Sequence, residues 1–166
     1  MSWPKIDVVV PCYNVERAIK RTLKSLIAQN YPKDQYHCYF INDASTDKTA
    51  SILNSYSDHS EITIITHEGN KGRAVTRNVG IKQSNAEFIC FLDGDMEIEN
   101  TWVAYGVEYL KKNRQVAAVH GYKKVYKHDL INYHILSDKK DWQADYLQGA
   151  FLIRKECYNE SGGFDY

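Results

Sequence analysis

Two carboxylates separated by one glycine follow a fully apolar stretch of the chain. Phe88 to Leu92 reads Phe-Ile-Cys-Phe-Leu, and Asp93, Gly94 and Asp95 come directly after it. A bare carboxylate is costly to bury unless it is paired or holds a metal ion. Mg²⁺ and Mn²⁺ accept such oxygen ligands and share their other positions with water and phosphates. Gly94 gives the backbone freedom to turn and lets a ligand approach. The pattern predicts a divalent-cation site beside a phosphate-bearing ligand; the alternative is a solvated turn.

The composition is typical of one globular domain. The chain has 166 residues, of which 43% are hydrophobic and 25% are charged, which is enough for a sizeable core. Its 21 basic and 21 acidic residues cancel, which argues against a general electrostatic grip on nucleic acid or an anionic membrane. Four widely spaced cysteines without a Cys-x-x-Cys pair favour reduced thiols over a zinc site or a disulfide framework.

The first residues lead directly into a strand and have no secretory-signal pattern. No apolar run approaches the roughly 18 residues of a membrane span. We therefore expect a cytoplasmic protein, and any peripheral membrane association would not be encoded in this chain.

Strand-like apolar runs alternate with helix-like patterns. Strands are predicted over residues 6–10, 38–41, 62–66, 87–92, 116–119 and 150–153. Helices are predicted to begin near residues 15, 46, 73, 97 and 154. Pro11 is expected to end the first strand and Asn14 to cap the helix after it. Residues 120–145 lack periodicity, so irregular chain or short edge strands are expected there. The alternation is typical of a parallel α/β sheet between layers of helices.

Other polar side chains are predicted at the carboxyl ends of strands. Asp43 follows the second strand, where ligands bind in open α/β sheets, although it could instead cap a helix. Asp47 suits the positive end of the next helix dipole. Arg73 and Arg77 lie one turn apart at a helix start, so both can face one anion; a solvated basic face is the alternative.

Two familiar phosphate-binding loops are missing from the chain. The loop after the first strand is Pro11-Cys12-Tyr13-Asn14, without the glycine fingerprint of a dinucleotide fold. The phosphate loop that ends in Gly-Lys-Ser/Thr is also missing. The acidic pair therefore suggests that a cation, rather than a glycine-rich loop, holds the phosphates.

Taken in order, the motifs resemble those of the family 2 glycosyltransferases of the GT-A fold. The motifs are Pro11-Cys12-Tyr13-Asn14, Asn42-Asp43-Ala44-Ser45-Thr46-Asp47, Asn70-Lys71-Gly72, Arg77-Asn78-Val79-Gly80, Asp93-Gly94-Asp95 and Gly162-Gly163-Phe164-Asp165. The resemblance covers nearly the whole chain. It implies that residues 1–166 form a single GT-A domain, a Rossmann-like three-layer α/β/α fold with a mostly parallel sheet. It also implies that the domain is truncated on its acceptor-binding side.

The resemblance implies a nucleotide-sugar site at the strand ends. Pro11, Tyr13 and Asn14 belong to the motif whose tyrosine ring lies against the nucleotide base. Asp43 matches the aspartate that accepts a hydrogen bond from the base, typically uracil. Arg77 matches an arginine near the nucleotide.

The resemblance also implies roles in catalysis for the acidic motif. Asp93 matches an aspartate near the ribose and the donor sugar, with Gly94 beside it. Asp95 matches the ligand of Mn²⁺ or Mg²⁺ that is shared with the diphosphate. The stretch Gln148-Gly149-Ala150 matches one that often lies beside the donor sugar.

Two positions depart from the family pattern, and one acidic pair of that pattern has no match within residues 1–166. Asn42 replaces the first of two acids, and Thr76 replaces an alanine. The acidic pair that supplies the general base is expected beyond Tyr166. Asp145 and Asp165 are the late acids of this chain, and ordinary roles in a loop and a turn are expected for them.

The function implied is inverting, metal-dependent transfer of a sugar from a nucleotide-diphosphate sugar, UDP-sugar in particular, to an acceptor hydroxyl. The acceptor would be a saccharide or lipid-linked, as in polysaccharide biosynthesis, and no nucleic acid would be involved. One alternative is a sugar nucleotidyltransferase, but its glycine- and arginine-rich loop does not match residues 11–14. The other is a non-catalytic donor-binding fragment, because these 166 residues are expected to bind the donor but transfer sugar poorly.

Overall fold

The computed structural model describes residues 2–120 and 149–164. These residues contain a six-stranded sheet in the order β3-β2-β1-β4-β6-β5. The strands are β1 (Ile6–Cys12), β2 (Tyr36–Asn42), β3 (Ile62–Thr66), β4 (Phe88–Leu92), β5 (Ala118–His120) and β6 (Ala150–Arg154). The first four are parallel to one another, whereas β6 runs antiparallel to both β4 and β5. The mostly parallel sheet is therefore confirmed.

Helices cover both faces of the sheet. They are α1 (Ile19–Ile27), α2 (Thr49–Asn54), α3 (Arg73–Gln83), α4 (Trp102–Lys112) and α5 (Lys155–Glu160), with a 3₁₀ turn at Lys33–Gln35. Buried side chains of α1, α2 and α4 pack in one core, and those of α3 and α5 pack in a second core. This arrangement confirms the three-layer α/β/α architecture.

The two cores are separated by the alternation of side chains along the central strands. Val8 and Val10 of β1 lie in the first core, and Val9 lies in the second. Such strands are apolar at nearly every position because both faces are covered. Each fully buried aliphatic or aromatic side chain stabilises the fold by roughly 1.5–3 kcal/mol. Gly80 lets α3 approach closely, since a Cβ atom there would lie 2.4 Å from Val9 Cγ1.

Pro11 does not end the first strand, contrary to the expectation from sequence. β1 continues to Cys12, and Pro11 pairs in register with Ile41 of β2. The register between β1 and β4 ends at Val9 and Phe91. Pro11 lies past that point, so its missing N–H interrupts no ladder with β4.

Of the stretch 120–145 predicted to be irregular, His120 ends β5 and the remainder lies outside the described residues. Gln148, Asp145 and Asp165 also lie outside them. No helix within residues 2–120 and 149–164 is long and apolar enough to cross a membrane.

Candidate functional site

The loops that follow β1 and β2 are fastened together through Asn14. Its side-chain Oδ1 accepts the backbone N–H groups of Thr46 at 2.8 Å and Asp47 at 3.3 Å. Its own N–H donates to Ser45 Oγ at 3.0 Å. Asn14 adopts a positive φ of 51°, a conformation that asparagine tolerates better than most residues.

Asn14 therefore does not cap α1, and that prediction is wrong. Helix α1 begins at Ile19, and no side chain caps it. The asparagine is used instead to order the neighbouring loop, because short polar side chains satisfy loop N–H groups as readily as those of a helix.

Asp47 completes the connection in the opposite direction. Its Oδ2 accepts the N–H of Glu16 at 3.1 Å, and its Oδ1 accepts the N–H of Thr49 at 2.8 Å. Thr49 Oγ1 in turn accepts the N–H of Val15 at 2.8 Å. Burial raises the pKa of Asp47, but hydrogen bonds from Thr49 and Glu16 outweigh that effect and lower it overall. Asp47 thus lies at the start of α2, as its expected interaction with the helix dipole requires.

Tyr13 lies on this fastened loop with its ring open to solvent. Its exposed fraction is 49%, and it has no ring contact among the described residues. Hydrogen bonds of Asn14 and Asp47 hold this loop in place while the ring is exposed, so a planar ligand group could stack on the ring.

The Asp43 carboxylate is buried and accepts three hydrogen bonds from the protein. The backbone N–H of Lys71 donates to Oδ1 at 2.8 Å, that of Gly72 donates to Oδ2 at 2.9 Å, and His67 Nδ1 lies 2.9 Å from Oδ1. Burial raises the pKa of Asp43, but these hydrogen bonds outweigh burial and lower the pKa below its usual value. Asp43 is therefore ionised at neutral pH, and it orders the residues that lead into α3.

Arg77 and Asp93 form a largely buried ion pair at the end of β4. Arg77 Nη2 donates to Asp93 Oδ1 at 2.8 Å, and the guanidinium lies 5.1 Å from the Phe164 ring centroid. Arg73 Nη1 lies 3.8 Å from the other carboxylate oxygen. The two arginines do face one anion, as their spacing predicts, but in this structure that anion is Asp93.

Asp95 differs from Asp93 in being exposed and unpaired. No side chain or backbone group in the described part of the chain binds its carboxylate. Burial raises the pKa of the neighbouring Cys12 thiol, and the charges of Asp93 and Asp95 raise it further. The loop thus places two negative charges close together, and the Asp95 carboxylate has no partner among the described residues.

A divalent cation fits this arrangement only if a ligand supplies further oxygens. Among the described residues, no group of three or more His, Cys, Asp or Glu side chains could hold a metal ion. Mg²⁺ is commonly bound by one or two carboxylates together with substrate phosphates and water. The free Asp95 carboxylate matches that type of site.

Gly94 is hydrogen-bonded to α1 and packs closely against β1. Its carbonyl accepts a hydrogen bond from Thr22 Oγ1 at 2.9 Å. A Cβ atom there would lie 3.1 Å from the Pro11 carbonyl oxygen and 3.2 Å from Cys12 Sγ. The glycine is not in the left-handed region. In this structure strand β1, rather than a ligand, therefore packs closely against Gly94.

We expect Gly94→Ala to destabilise the fold by about 1–3 kcal/mol, because overpacking must displace a backbone carbonyl. Gly69→Ala is the matched control, since no atom lies within 4 Å of its added Cβ. That change should be neutral or stabilising by up to about 1 kcal/mol. Urea unfolding of both variants measures the difference, and equal stabilities would contradict this account of Gly94.

Asn78 joins two motifs that are far apart in sequence. Its Nδ2 donates to the Phe164 carbonyl at 3.0 Å, and Tyr158 donates its hydroxyl to Asn78 Oδ1. The ring centroid of Phe164 lies 5.0 Å from that of Phe91, and the Phe164 ring also packs against the Arg77 guanidinium. Phe164 is therefore secured beside the Arg77–Asp93 pair.

The two small departures from the family pattern have structural roles. Asn42 is buried, and its Oδ1 accepts the N–H of Ser45 at 3.1 Å, as an aspartate in the same turn could. Thr76 donates to the Gly72 carbonyl at 2.8 Å within α3. Both residues thus stabilise loops next to Asp43.

The sheet edge formed by β1, β2 and β4 therefore presents an exposed aromatic ring, buried charged groups and a free carboxylate. The molecule belongs to the class of open α/β-sheet proteins, in which ligands bind at the carboxyl ends of the strands. Residues 7–164 match the family model described as Glycosyl transferase family 2. The chain belongs to this family.

Proteins similar to this chain include glycosyltransferases. The probable glycosyltransferase YdaM of Bacillus subtilis is 35% identical over 122 residues, covering 71% of this chain and 29% of YdaM. A poly-beta-1,6-N-acetyl-D-glucosamine synthase of Staphylococcus epidermidis is 34% identical over 116 residues, covering 70% of this chain and 28% of the synthase. The chain thus spans less than a third of the length of these relatives.

Solved glycosyltransferases share the fold. Residues 1–349 of S. aureus TarS in complex with UDP superimpose with a TM-score of 0.80 at 23% identity, covering 96% of this chain and 49% of that one. The mannosyltransferase PcManGT from Pyrobaculum calidifontis, in complex with GDP-Man and Mn²⁺, gives 0.82 at 24% identity, covering 98% and 48%. The predicted GT-A type of fold is confirmed.

Proposed function

We propose that this chain is the donor-binding part of an inverting glycosyltransferase that uses a UDP-sugar and a divalent cation. The observation that carries the proposal is the convergence of Tyr13, Asp43, the Arg77–Asp93 pair and Asp95 at one edge of the sheet. Neighbouring strands lie about 4.8 Å apart, so the ends of β2 and β4, with β1 between them, are separated by about 10 Å. The base would lie at one end of this span and the diphosphate at the other.

Each side chain would have a distinct task in binding the donor. Tyr13 would stack on the base, and the ionised Asp43 would accept a hydrogen bond from its N–H. Asp93 is held in place by Arg77, and its backbone N–H donates to the Gly149 carbonyl at 3.0 Å. That rigid carboxylate would accept hydrogen bonds from the ribose or the donor sugar. Asp95, with donor phosphates, would hold Mn²⁺ or Mg²⁺, which would stabilise negative charge on the leaving diphosphate.

The proposed reaction is a direct displacement at the anomeric carbon. The bond between that carbon and the diphosphate oxygen breaks, and its electron pair leaves with the nucleoside diphosphate. The acceptor oxygen forms the new bond from the opposite side, so the configuration inverts. Its proton passes to a carboxylate general base, which we place outside the described residues. A saccharide or a lipid-linked sugar would serve as the acceptor.

The test compares nucleotide with pyrophosphate. Calorimetry in the presence of Mn²⁺ should show UDP binding by the wild-type chain. Asp43→Ala should weaken that binding by roughly 1–3 kcal/mol through loss of a charged hydrogen bond, with a smaller loss for pyrophosphate. Asp34→Ala is the control, because it removes an exposed carboxylate from the 3₁₀ turn before β2, away from the carboxyl ends of the strands, and it should leave both affinities unchanged. The proposal is refuted by the absence of UDP binding, or by equal losses for both ligands in Asp43→Ala.

A further inference from the structure

The His67 imidazole is buried beside the Asp43 carboxylate. Its exposed fraction is 8%, and its Nδ1 is 2.9 Å from Asp43 Oδ1. The backbone N–H of His67 donates to the Asn42 carbonyl at 2.9 Å, which continues the alignment of β3 with β2. The other ring nitrogen, Nε2, is buried and has no hydrogen-bond partner in the described part of the chain.

The protonation of Asp43 fixes the direction of the hydrogen bond. Hydrogen bonds to Asp43 outweigh its burial and lower its pKa, so the carboxylate is ionised and can only accept. His67 Nδ1 must therefore carry the proton and donate it toward Oδ1.

The unpartnered Nε2 shows that packing alone does not explain the histidine. An apolar side chain of similar size would fill the same space without burying an unsatisfied nitrogen, which is unfavourable. The compensating interaction in the described structure is the one that Nδ1 makes with Asp43.

Three hydrogen bonds from the protein leave one lone pair of the Asp43 carboxylate available to a ligand. A carboxylate has about four acceptor positions. His67 and Lys71 use both of those on Oδ1, and Gly72 uses one of those on Oδ2. The hydrogen bonds from His67 and Lys71 to Oδ1 prevent the carboxylate group from rotating. They therefore fix the direction of the remaining lone pair of Oδ2.

We propose that His67 is a positioning residue that makes Asp43 selective for a base with an N–H donor, as in uracil. This inference rests on the proposed function, in which Asp43 faces the base. Cytosine presents a ring-nitrogen acceptor at the position where uracil presents N–H. A fixed carboxylate repels that acceptor, whereas a carboxylate free to rotate discriminates less. His67 thus sets the preference for UDP over CDP without touching either nucleotide.

The test exploits the position of the donating nitrogen. The side-chain nitrogen of asparagine is attached to Cγ, as Nδ1 is, whereas that of glutamine lies one atom further out, as Nε2 does. We expect His67→Asn to retain the wild-type ratio of UDP to CDP affinity in calorimetry with Mn²⁺. His67→Gln and His67→Ala should lower that ratio by at least about fivefold, the effect of one hydrogen bond. His37→Ala is the matched control and should leave the ratio unchanged, because the hydrogen bond of 2.8 Å between His37 and Thr63 Oγ1 lies near the amino ends of β2 and β3, away from the carboxyl ends that form the site.

The outcomes separate this inference from the function on which it rests. If Asp43→Ala lowers the ratio but His67→Ala and His67→Gln do not, His67 has no positioning role and the inference is overturned. Equal ratios in His67→Asn and His67→Gln would also overturn it, because a role in packing depends on side-chain volume rather than on the position of the nitrogen. If Asp43→Ala leaves the ratio unchanged, base recognition by Asp43 fails and the inference fails with it. Should His67→Ala not fold, the pair of amide variants decides the question.

Discussion

Asp95→Asn should remove most of the gain in UDP affinity that Mn²⁺ provides, while leaving the fold intact. The carboxylate is exposed and has no partner among the described residues, so the amide replaces no internal interaction. It retains the shape of the side chain but loses the charge and one of the hard oxygen ligands that Mn²⁺ prefers. Loss of a partner that merely orients a metal ligand typically lowers metal affinity about 10–100-fold, and loss of the ligand itself should have at least that effect.

Calorimetric titration of UDP with and without Mn²⁺ measures the gain directly. Glu97→Gln is the matched control, because Glu97 is also exposed and lies two residues further along the same loop. It should keep the wild-type response to Mn²⁺. A Mn²⁺-dependent affinity that is the same in Asp95→Asn and the wild type would exclude Asp95 as the metal ligand.

Arg77→Ala should be the most destabilising of the arginine substitutions in α3. The side chain of Arg77 is 9% exposed, and its removal leaves the Asp93 carboxylate without its close partner. Breaking a buried ion pair from one side typically costs about 3–5 kcal/mol. Because Asp93 is 17% exposed and Arg73 lies 3.8 Å from it, we expect a loss of about 2–4 kcal/mol. Contacts of the guanidinium with Phe91 and Phe164 are lost as well.

Arg73→Ala provides the comparison within the same helix. Its side chain is 64% exposed, and exposed ion pairs contribute only about 0–1 kcal/mol. Urea unfolding of the two variants should therefore differ by at least about 1 kcal/mol. Arg77→Lys should recover only part of the loss, because an ammonium group neither forks around a carboxylate nor stacks on Phe164 as a guanidinium does. Similar losses in Arg73→Ala and Arg77→Ala would contradict the importance of the buried pair.

The apolar runs of the sequence were sufficient to predict most of the sheet. β2, β3 and β4 lie within a few residues of their predicted bounds, because strands buried on both faces are apolar at nearly every position. The alternation of strand and helix patterns indicated the layered arrangement, and the family resemblance implied the GT-A type of fold. The antiparallel placement of β6 between β4 and β5 has no local signal, since strand pairing is decided by contacts between distant parts of the chain.

Candidate site residues can be proposed from the sequence, but the contacts that they make with one another cannot. Asp43 and Asp93 directly follow strands and Asp95 lies two residues further on, as predicted, whereas Arg77 lies in the second turn of α3. A polar residue before a helix is a typical N-cap, which is why the sequence predicts that role for Asn14. In the structure its hydrogen-bond partners instead lie about thirty residues away, in the loop after β2.

No sequence pattern marks His67 as a site residue. A single histidine after a strand is an ordinary loop residue, and only its position beside a carboxylate 24 residues earlier in sequence distinguishes it. Asn78 was part of a recognised motif, but its contact with Phe164 spans 86 residues. Such contacts depend on the folded arrangement and leave no periodic trace in the sequence.

The antiparallel pairing of β6 with β4 also affects how the chain folds while it is being synthesised. All five residues of β4 are buried, and its second edge is covered by β6, in which Ala150 pairs with Leu92. Roughly 60 residues must leave the ribosome before that partner is available, which takes several seconds at about 5–20 residues per second. Until then the nascent chain carries an apolar strand with an open edge, the usual template for aggregation. The predicted metal-binding loop, which begins at Asp93, is therefore among the later parts of the sheet to be secured during synthesis.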